Sequence, residues 1–443
     1  MLTKEFLVRS LKAEISDKIK EGYEIKNFLK ELESEKELDF NKIFAYAEKV
    51  KDSKIASSWP YREPDGYLEI LKECSCDMNL EPIGIISEEE INQKVESGFL
   101  ASVCGCILGK PLEEAPFGTL WDIKKAAIEV GEWPIKGYFS EDFLLAWGRR
   151  NVSWKETTRG NISFVAPDDD ITYSICGMLL LEKYGVNFTY ENITQLWIEN
   201  LPIYTCWGPE RAILIKAGLA SIFPDVKTNI ESFANSFNGG KELCGGLIRV
   251  DAYGYACPGN PMLAAKLAYK DVSLTHRKTG LYSGMFVAAA IAVAFVAKSW
   301  NEIFETALKY IPQKSRFFFQ MSEALELVKE SDSFENGYKA IHERFIEYSA
   351  GQIVQEIGEI MNTLKYSKSA EEGIALQVAQ GNDTDSFACT CGSILGAYFG
   401  NSISSEWVEP FNDTLHTTMG SFYENKLSTV AKRMQKLHLL IKR

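Results

Sequence analysis

Histidine is scarce in this chain, with four among 443 residues, and no His-Glu-x-x-His motif occurs. A zinc hydrolase of that type therefore has no support. The ten cysteines are too few for a disulfide scaffold in a chain of this length. Three Cys-x-Cys pairs occur, at Cys74/Cys76, Cys104/Cys106 and Cys389/Cys391. Because side chains two residues apart on a helix point about 200° from one another, we expect the last two pairs to be core packing residues rather than a zinc site.

Positive charge and long apolar runs are also limited. The net charge of −13 at pH 7 disfavours a surface that binds nucleic acid or an anionic membrane. The longest uninterrupted apolar run, Met285–Ala297, has 13 residues, fewer than the ~20 that cross a bilayer. Met1–Lys20 alternates apolar and charged residues and shows no signal-peptide pattern. We therefore expect a cytoplasmic protein without a transmembrane segment, and neither nucleic acid nor membrane as a partner.

Strand signals are scarce, since sustained alternation of β-branched and polar residues is hardly found. Hydrophobic residues make up 46% of the chain, enough for a large core. Residues 1–95 are charged and helix-patterned, which predicts an N-terminal helical extension. Beyond them, apolar runs rich in small residues predict closely packed helices; they lie at 98–109, 173–185, 285–297 and 386–400. We therefore predict an all-α protein whose main body spans residues 96–443.

Two acidic clusters, each followed by a small-residue apolar segment, carry the chemistry. They are Asp168-Asp169-Asp170 and Asp383-Thr384-Asp385-Ser386. An ordinary N-cap explains either cluster alone. Their recurrence, and the repulsion between acids crowded beside buried segments, favour a divalent cation held by both. Carboxylate and hydroxyl oxygens suit Mg²⁺ or Mn²⁺, so we predict a site for one or two such ions with the ligands Asp168, Asp169, Asp170, Asp383, Asp385 and Ser386.

Three segments are similar to motifs of one enzyme family. Gly105-Cys106-Ile107-Leu108-Gly109 and the following Glu113 resemble a Gly-Asp-x-x-Gly motif with its downstream Glu, although Cys106 replaces the Asp. Asp168-Asp169-Asp170-Ile171 resembles Thr-Asp-Asp-Thr without its threonines, and Asp168 is a candidate extra ligand. Asp383-Thr384-Asp385-Ser386 resembles Asp-x-Asp-Thr, with serine keeping the hydroxyl. Together they resemble the ADP-ribosylglycohydrolase family, which includes dinitrogenase reductase-activating glycohydrolase and the animal ADP-ribosyl hydrolases.

Further segments between these motifs extend the resemblance over residues 96–443. Gly245-Gly246-Leu247-Ile248-Arg249 resembles the family's Asn-Gly-x-x-Met-Arg loop, with Cys244 in place of Asn. Pro258-Gly259-Asn260-Pro261 resembles its Pro-Gly-x-Pro segment. Leu274-Thr275-His276, followed by Gly280-x-Tyr282, resembles a segment whose histidine lies near the phosphates of bound ADP-ribose. The resemblance therefore implies substrate contacts from Glu113, Gly245, Gly246, His276, Gly280 and Tyr282.

The resemblance implies an orthogonal multi-helix bundle of the ADP-ribosylglycohydrolase type around two Mg²⁺ or Mn²⁺ ions. It also implies a hydrolase that cleaves the ribosyl anomeric bond of an ADP-ribosylated protein or a small ADP-ribosyl conjugate. The predicted catalytic residues are Glu113, Asp169 and Asp383. Glu113 would orient the ribose or act as acid or base through a water, with Glu114 as its competitor and a solvated surface glutamate as the alternative. For His276, the alternative is a structural histidine.

Two other functions stay open at this point. An N-glycosidase that acts on a free nucleoside-like metabolite would fit the altered loop at Cys244 and the acidic net charge. A non-catalytic ADP-ribose-binding relative would keep the fold and lose the activity. The four metal-type acids argue against this last alternative.

Overall fold

The structure is a computed structural model that describes residues 3–35, 37–75, 81–222 and 229–441. In these four segments the secondary structure consists of α-helices and short 3₁₀ turns, and the only β-type pairings are isolated bridges. The prediction of an all-α fold is confirmed. Cys76 of the first Cys-x-Cys pair lies outside the described residues.

The helices follow one another along the chain in four groups. The N-terminal region contains α1 (Lys4–Lys20), α2 (Lys26–Ser34), α3 (Phe40–Lys51) and α4 (Tyr67–Glu73). Next come α5 (Glu88–Gly109), α6 (Leu120–Glu129), α7 (Glu141–Trp147), α8 (Trp154–Thr157), α9 (Asp169–Tyr184), α10 (Tyr190–Asn200) and α11 (Gly208–Ser221). The middle of the chain forms α12 (Asp251–Ala256), α13 (Pro261–Val272), α14 (Lys278–Ala294) and α15 (Trp300–Ala307). The last part forms α16 (Arg316–Glu330), α17 (Phe334–Arg344), α18 (Val354–Tyr366), α19 (Ala370–Ala379), α20 (Thr384–Phe399), α21 (Ser405–Val408), α22 (Leu427–Gln435) and α23 (Leu437–Leu440).

The centre of the body is α14, in which every residue is buried. Its sequence from Gly280 onward is almost entirely apolar and contains many alanines, so neighbouring helices pack on every side of it. Helices α12, α13, α15 and α20 are among these neighbours. The run Met285–Ala297, predicted as a buried core segment, forms the end of α14 and the turn after it.

Helices α5 and α20 lie side by side and together position the functional site. Small residues permit the close approach, as the apolar runs predicted. A side chain at Gly109 would collide with the carbonyl oxygen of Thr384 at the start of α20. In the protein as it stands, the Thr384 hydroxyl donates a hydrogen bond to the Gly109 carbonyl oxygen at 2.8 Å. The end of α5 is thereby held against the beginning of α20.

Helix α5 begins earlier than the predicted boundary between residues 95 and 96. The Ser87 hydroxyl accepts a hydrogen bond from the Glu90 amide at 3.2 Å and caps a continuous helix that starts at Glu88. By length and composition, Glu88–Leu112 is apolar enough to span a membrane, yet 83% of its apolar window is buried inside the protein. Such burial is typical of a core helix. The division into an extension and a body stays a prediction.

The N-terminal region has a small core of its own. Phe237 of the body closes this core, whose other members are Leu7, Leu11, Ile15, Ile25, Leu32, Ile43, Ala47 and Val50. Ion pairs also join the region to the body: Glu14 to Lys241 at 3.6 Å, Glu63 to Arg316 at 2.9 Å and Asp65 to Lys278 at 3.2 Å. Lys241 and Lys278 are buried in this contact. Ion pairs as well as apolar packing therefore hold the N-terminal helices against the rest of the protein.

Candidate metal centre

The first acidic turn lies at the start of α9. Asp168 is the N-cap, and its Oδ1 accepts a hydrogen bond from the Asp170 amide at 2.9 Å. The Asp168 carbonyl oxygen accepts a second one from the Thr172 hydroxyl at 2.6 Å. Asp168 thus performs the ordinary capping role that the sequence allowed for it. Asp168 and Asp170 are buried, whereas Asp169 is partly exposed.

The second acidic turn lies at the start of α20. Gly381 and Asn382 have positive φ angles of 86° and 57°, which turn the chain sharply into the helix. Asp383 occupies the N-cap position without a side-chain capping bond, so its carboxylate is available for another partner. Asp385 and Ser386 follow in the first turn and are buried.

The two acidic turns meet in space. The Ser386 hydroxyl donates a hydrogen bond to Asp170 Oδ2 at 3.2 Å, between residues that lie 216 positions apart in the chain. Carboxylate oxygens of Glu113, Asp383 and Asp385 lie within 4.8 Å of one another. The same spacing holds for the Cys106 sulfur and oxygens of Asp168 and Asp170. The structure therefore brings Glu113, Asp383 and Asp385 together in one group and Asp168 and Asp170 in a second, whereas Asp169 belongs to neither group. Glu114, the neighbour of Glu113, is exposed. The roles of these residues stay predictions.

Lys110 lies between the two acidic turns, and the sequence analysis did not identify it. The residue follows Gly109 directly, in a 3₁₀ turn that spans Lys110–Leu112. Its ammonium group forms an ion pair with Asp168 Oδ2 and lies 4.0 Å from Asp385 Oδ2. Its side chain is only 14% exposed. The sequence does show a lysine between Gly109 and Glu113, inside a motif segment. The contact of this lysine with Asp168, however, depends on the tertiary fold.

The carboxyl groups of the site differ in their electrostatic state. Burial raises the pKa of Glu113, and the nearby charges of Asp385 and Asp383 raise it further. Burial and neighbouring acids also raise the pKa of Asp170 and of Asp383. For Asp168, burial acts in the same direction, but the Lys110 ammonium holds the pKa of this carboxyl below its usual range. The Asp168 side of the site therefore has a protein cation of its own.

Two buried oxygens of the site, Asp170 Oδ1 and Asp383 Oδ1, have no hydrogen-bond partner among the described residues. A buried carboxylate oxygen without a partner is unfavourable unless something else satisfies it. The oxygens of Glu113, Asp383 and Asp385 are hard donors at a spacing that fits one Mg²⁺ or Mn²⁺ ion. The residues present therefore fit the group that the sequence predicted.

The glycine loop predicted at the substrate lies next to the second acidic turn. The Cys244 thiol is 3.7 Å from Asp383 Oδ2, and the Cys244 amide donates to the Gly351 carbonyl oxygen at 3.0 Å. Side chains at Gly245 and Gly246 would collide with Glu210 and Val272, respectively. The glycines therefore let the loop lie close to the residues beneath it, while Cys244 faces the acids.

His276 lies in the interior, beneath that loop. Its side chain is 0% exposed, and its Nδ1 is 2.7 Å from the Thr275 hydroxyl and 3.3 Å from Glu210. Arg249, which pairs with Glu210 and Asp271, belongs to the same buried network. Burial and the Arg249 charge hold the pKa of His276 well below its usual range, so its imidazole is neutral at pH 7. This buried position matches the alternative of a structural histidine, and the contact of His276 with substrate stays a prediction.

Gly280 and Tyr282 lie in the first turns of α14 and have different neighbours. A side chain at Gly280 would collide with the Lys241 carbonyl oxygen and approach the His276 ring. The Tyr282 hydroxyl donates a hydrogen bond to the Pro64 carbonyl oxygen at 2.5 Å. These contacts explain both residue types by packing. Their predicted substrate contacts stay predictions.

A second layer of buried polar residues supports the Asp383 turn and had no clear signal in the sequence. Asn382 donates a hydrogen bond to Glu359 at 2.8 Å, and Glu359 also contacts His342 at 2.7 Å. Glu356 accepts hydrogen bonds from the amides of Gly351 and Ile353 at the start of α18. These hydrogen bonds stabilise the backbone of the turn that carries Asp383 and Asp385.

A family model and a solved structure are similar to this chain. A family model described as ADP-ribosylglycohydrolase matches residues 87–437, which include every acid of the site. A solved structure described as an ADP-ribosylglycohydrolase-related protein complex is similar at 18% identity, with coverage of 80% of this chain and 98% of the other and a TM-score of 0.47. The search of curated proteins gave no significant match. The match over residues 87–437 shows that this chain belongs to the ADP-ribosylglycohydrolase family.

Proposed function

We propose that this protein is a Mg²⁺- or Mn²⁺-dependent hydrolase that cleaves the ribosyl anomeric bond of an ADP-ribosylated protein or a small ADP-ribosyl conjugate. Family membership gives the coarser statement, a glycohydrolase of ADP-ribosyl compounds. The convergence of two distant acidic turns with Glu113 is the observation that carries the finer one. Such a set of carboxylate and hydroxyl oxygens is suited to a divalent cation.

The proposed metal ligands are Glu113, Asp383 and Asp385, with Asp170 and Ser386 beside them. A divalent ion bound there would act as a Lewis acid towards ribose hydroxyls and would hold a water for attack at the anomeric carbon. Without such an ion, burial and then the repulsion from Asp385 and Asp383 raise the pKa of Glu113 and favour a proton on its carboxyl. Metal binding would therefore compete with protons at this residue.

Differences in exposure separate the residues that can reach a substrate from those that hold the site in place. Glu113, Asp169 and Asp383, the predicted catalytic residues, are partly exposed. Asp168, Asp170 and Asp385 are buried. The exposed carboxylates can stabilise the positive charge that develops on the ribose ring as the bond breaks. Among the buried acids, Asp168 caps α9 and Asp170 accepts the Ser386 hydroxyl of α20, so these two fix the positions of the others.

A cleavage screen tests this proposal. Purified protein would be incubated with ADP-ribosyl-arginine, ADP-ribosyl-serine, O-acetyl-ADP-ribose and simple nucleosides, with and without Mg²⁺ or Mn²⁺. We expect metal-dependent release of ADP-ribose from at least one conjugate. Asp383→Asn and Asp385→Asn should abolish it without loss of the helical circular-dichroism signal.

The matched control is Asp142→Asn, which changes an exposed acid in the first turn of α7 and should keep full activity. Turnover of nucleosides alone would replace the proposal by the N-glycosidase alternative. Metal binding without turnover of any substrate would favour a non-catalytic relative. Unchanged turnover in both aspartate variants would remove the acidic turns from the reaction.

A further inference from the structure

We propose that Lys110 supplies a permanent positive charge to the Asp168 half of the centre, so that the protein binds one divalent cation, at Glu113, Asp383 and Asp385, and not two. The inference rests on the proposed metal dependence and specifies it. The paired acidic turns by themselves would accommodate two ions, as the resemblance implied. Lys110 distinguishes this chain from that expectation.

The position of the Lys110 ammonium group is the first argument. It forms an ion pair with Asp168 Oδ2 and lies 4.0 Å from Asp385 Oδ2, between the two acidic turns. Asp168 Oδ1 is already engaged by the Asp170 amide at 2.9 Å. Both oxygens of Asp168 therefore have partners within the protein. A divalent ion that used Asp168 would have to displace the ammonium or lie next to a like charge.

The backbone beneath Lys110 is held firmly in place. The residue follows Gly109, whose carbonyl oxygen accepts the Thr384 hydroxyl at 2.8 Å. Pro111 and Leu112, in the same 3₁₀ turn, are buried. The Lys110 side chain itself is 14% exposed, and therefore lies mostly within the protein. The ammonium is thus part of the centre and not a surface charge that happens to lie nearby.

The residues around Asp168 carry less negative charge than those around Asp383 and Asp385. Cys106, whose sulfur lies with oxygens of Asp168 and Asp170, stands where the motif carries an aspartate. This half therefore has one acid fewer than the motif, and the Lys110 ammonium pairs directly with its Asp168. On the other side, Glu113, Asp383 and Asp385 are all acids. One oxygen in each half, Asp170 Oδ1 and Asp383 Oδ1, has no hydrogen-bond partner in the described part of the chain. The three carboxyl groups of Glu113, Asp383 and Asp385 have only the more distant contact with Lys110, at 4.0 Å from Asp385, so we assign the divalent cation to them.

Metal stoichiometry tests the inference independently of turnover. Mn²⁺ would be titrated into the metal-free wild-type protein by calorimetry, and the loaded protein examined by electron paramagnetic resonance. We expect one Mn²⁺ per chain with the spectrum of an isolated ion. Lys110→Met removes the ammonium and keeps an unbranched side chain, so it should bind two and show the signal of a spin-coupled pair. Lys125→Met, at an exposed lysine of α6, is the matched control and should bind one.

Two Mn²⁺ ions in the wild-type protein would overturn the inference, whether or not the variant folds. One ion in both the wild type and Lys110→Met would overturn the role given to Lys110, and Lys110→Gln provides the same comparison if the methionine variant is insoluble. Failure of the wild-type protein to bind Mn²⁺ at all would instead overturn the proposed metal dependence. One bound ion without hydrolysis would leave this inference intact and contradict the proposed reaction.

Discussion

The acidic turns at Asp168–Asp170 and Asp383–Asp385 look alike in sequence, since each places carboxylates at the start of a small-residue helix, but they differ in how their charge is met. Lys110 pairs with Asp168, and the pKa of that carboxyl is lowered. Asp383 has the neutral Cys244 thiol beside it and an Oδ1 without a hydrogen-bond partner among the described residues, and its pKa is raised by burial. Two similar acidic motifs thus differ in the pKa of their carboxyl groups because Lys110, which belongs to neither motif, pairs with one of them.

The largest expected effect concerns Glu113, which belongs to the three-carboxylate group with Asp383 and Asp385. Glu113→Gln removes one of the three carboxyl groups whose oxygens lie within 4.8 Å of one another. We expect Mn²⁺ affinity to fall by about 1,000-fold, or about 4 kcal/mol. Glu114→Gln, at the exposed adjacent residue, should change it little. Calorimetric titration of both variants measures the difference, and similar affinities for the two would place the metal elsewhere.

For Asp168, the partner of Lys110, we expect a substitution to lower the free energy of unfolding more than the affinity for Mn²⁺. Asp168→Asn keeps a good N-cap for α9 but removes the partner of the Lys110 ammonium. Breaking such a buried pair should lower the free energy of unfolding by about 3 kcal/mol, while Mn²⁺ affinity changes less than in Glu113→Gln. Urea denaturation of the metal-free proteins tests this. If Asp168→Asn instead reduced Mn²⁺ affinity as strongly as Glu113→Gln, the two turns would be equivalent ligands.

Asp251 is a further buried acid, and we expect its replacement to have a smaller effect. Asp251 starts α12 and accepts a hydrogen bond from Ser174 at 3.0 Å. Burial raises its pKa to about 7, and the hydroxyls of Ser174 and Ser393 offset only part of this rise. Between the unfolded-state pKa and pH 7, the folded protein binds more protons than the unfolded chain. The contribution of Asp251 to the free energy of unfolding therefore falls as pH rises through this window and is constant above it.

Asp251→Asn should remove that dependence. Relative to wild type, the variant should gain about 2 kcal/mol between pH 5 and pH 7, whatever its absolute stability. Parallel denaturation curves at several pH values measure this change. A constant difference between the two proteins across the range would show that Asp251 is charged throughout.

Local patterns were sufficient to predict the all-α class and the two helices that follow the acidic turns. Capping residues and small-residue runs are short-range signals, and they placed α9 and α20 behind their acidic turns. The buried Cys104, Cys106, Cys389 and Cys391 carry no disulfide and pack as predicted. The family match then confirmed the resemblance that the motifs carried.

Long-range partners could not be predicted in the same way. Whether Lys110 turns towards Asp168, 58 residues away, depends on how α5 and α9 pack, which no local pattern specifies. His276 matched a substrate motif, yet the buried network of Arg249 and Glu210 surrounds it. A motif gives the residue type at a position, whereas the surrounding helices decide whether its side chain faces solvent or the interior.

The docked N-terminal region has a practical consequence for work on this protein. Trimming the gene to the family-matching segment, residues 87–437, would delete Glu14 and Asp65 and leave Lys241 and Lys278 without these carboxylates. Phe237 would lose the small core that it closes. The shortened product would present a bare cationic and aromatic face, prone to self-association and to adventitious capture of polyanions. Expression of the family-matching segment should therefore retain the first helices.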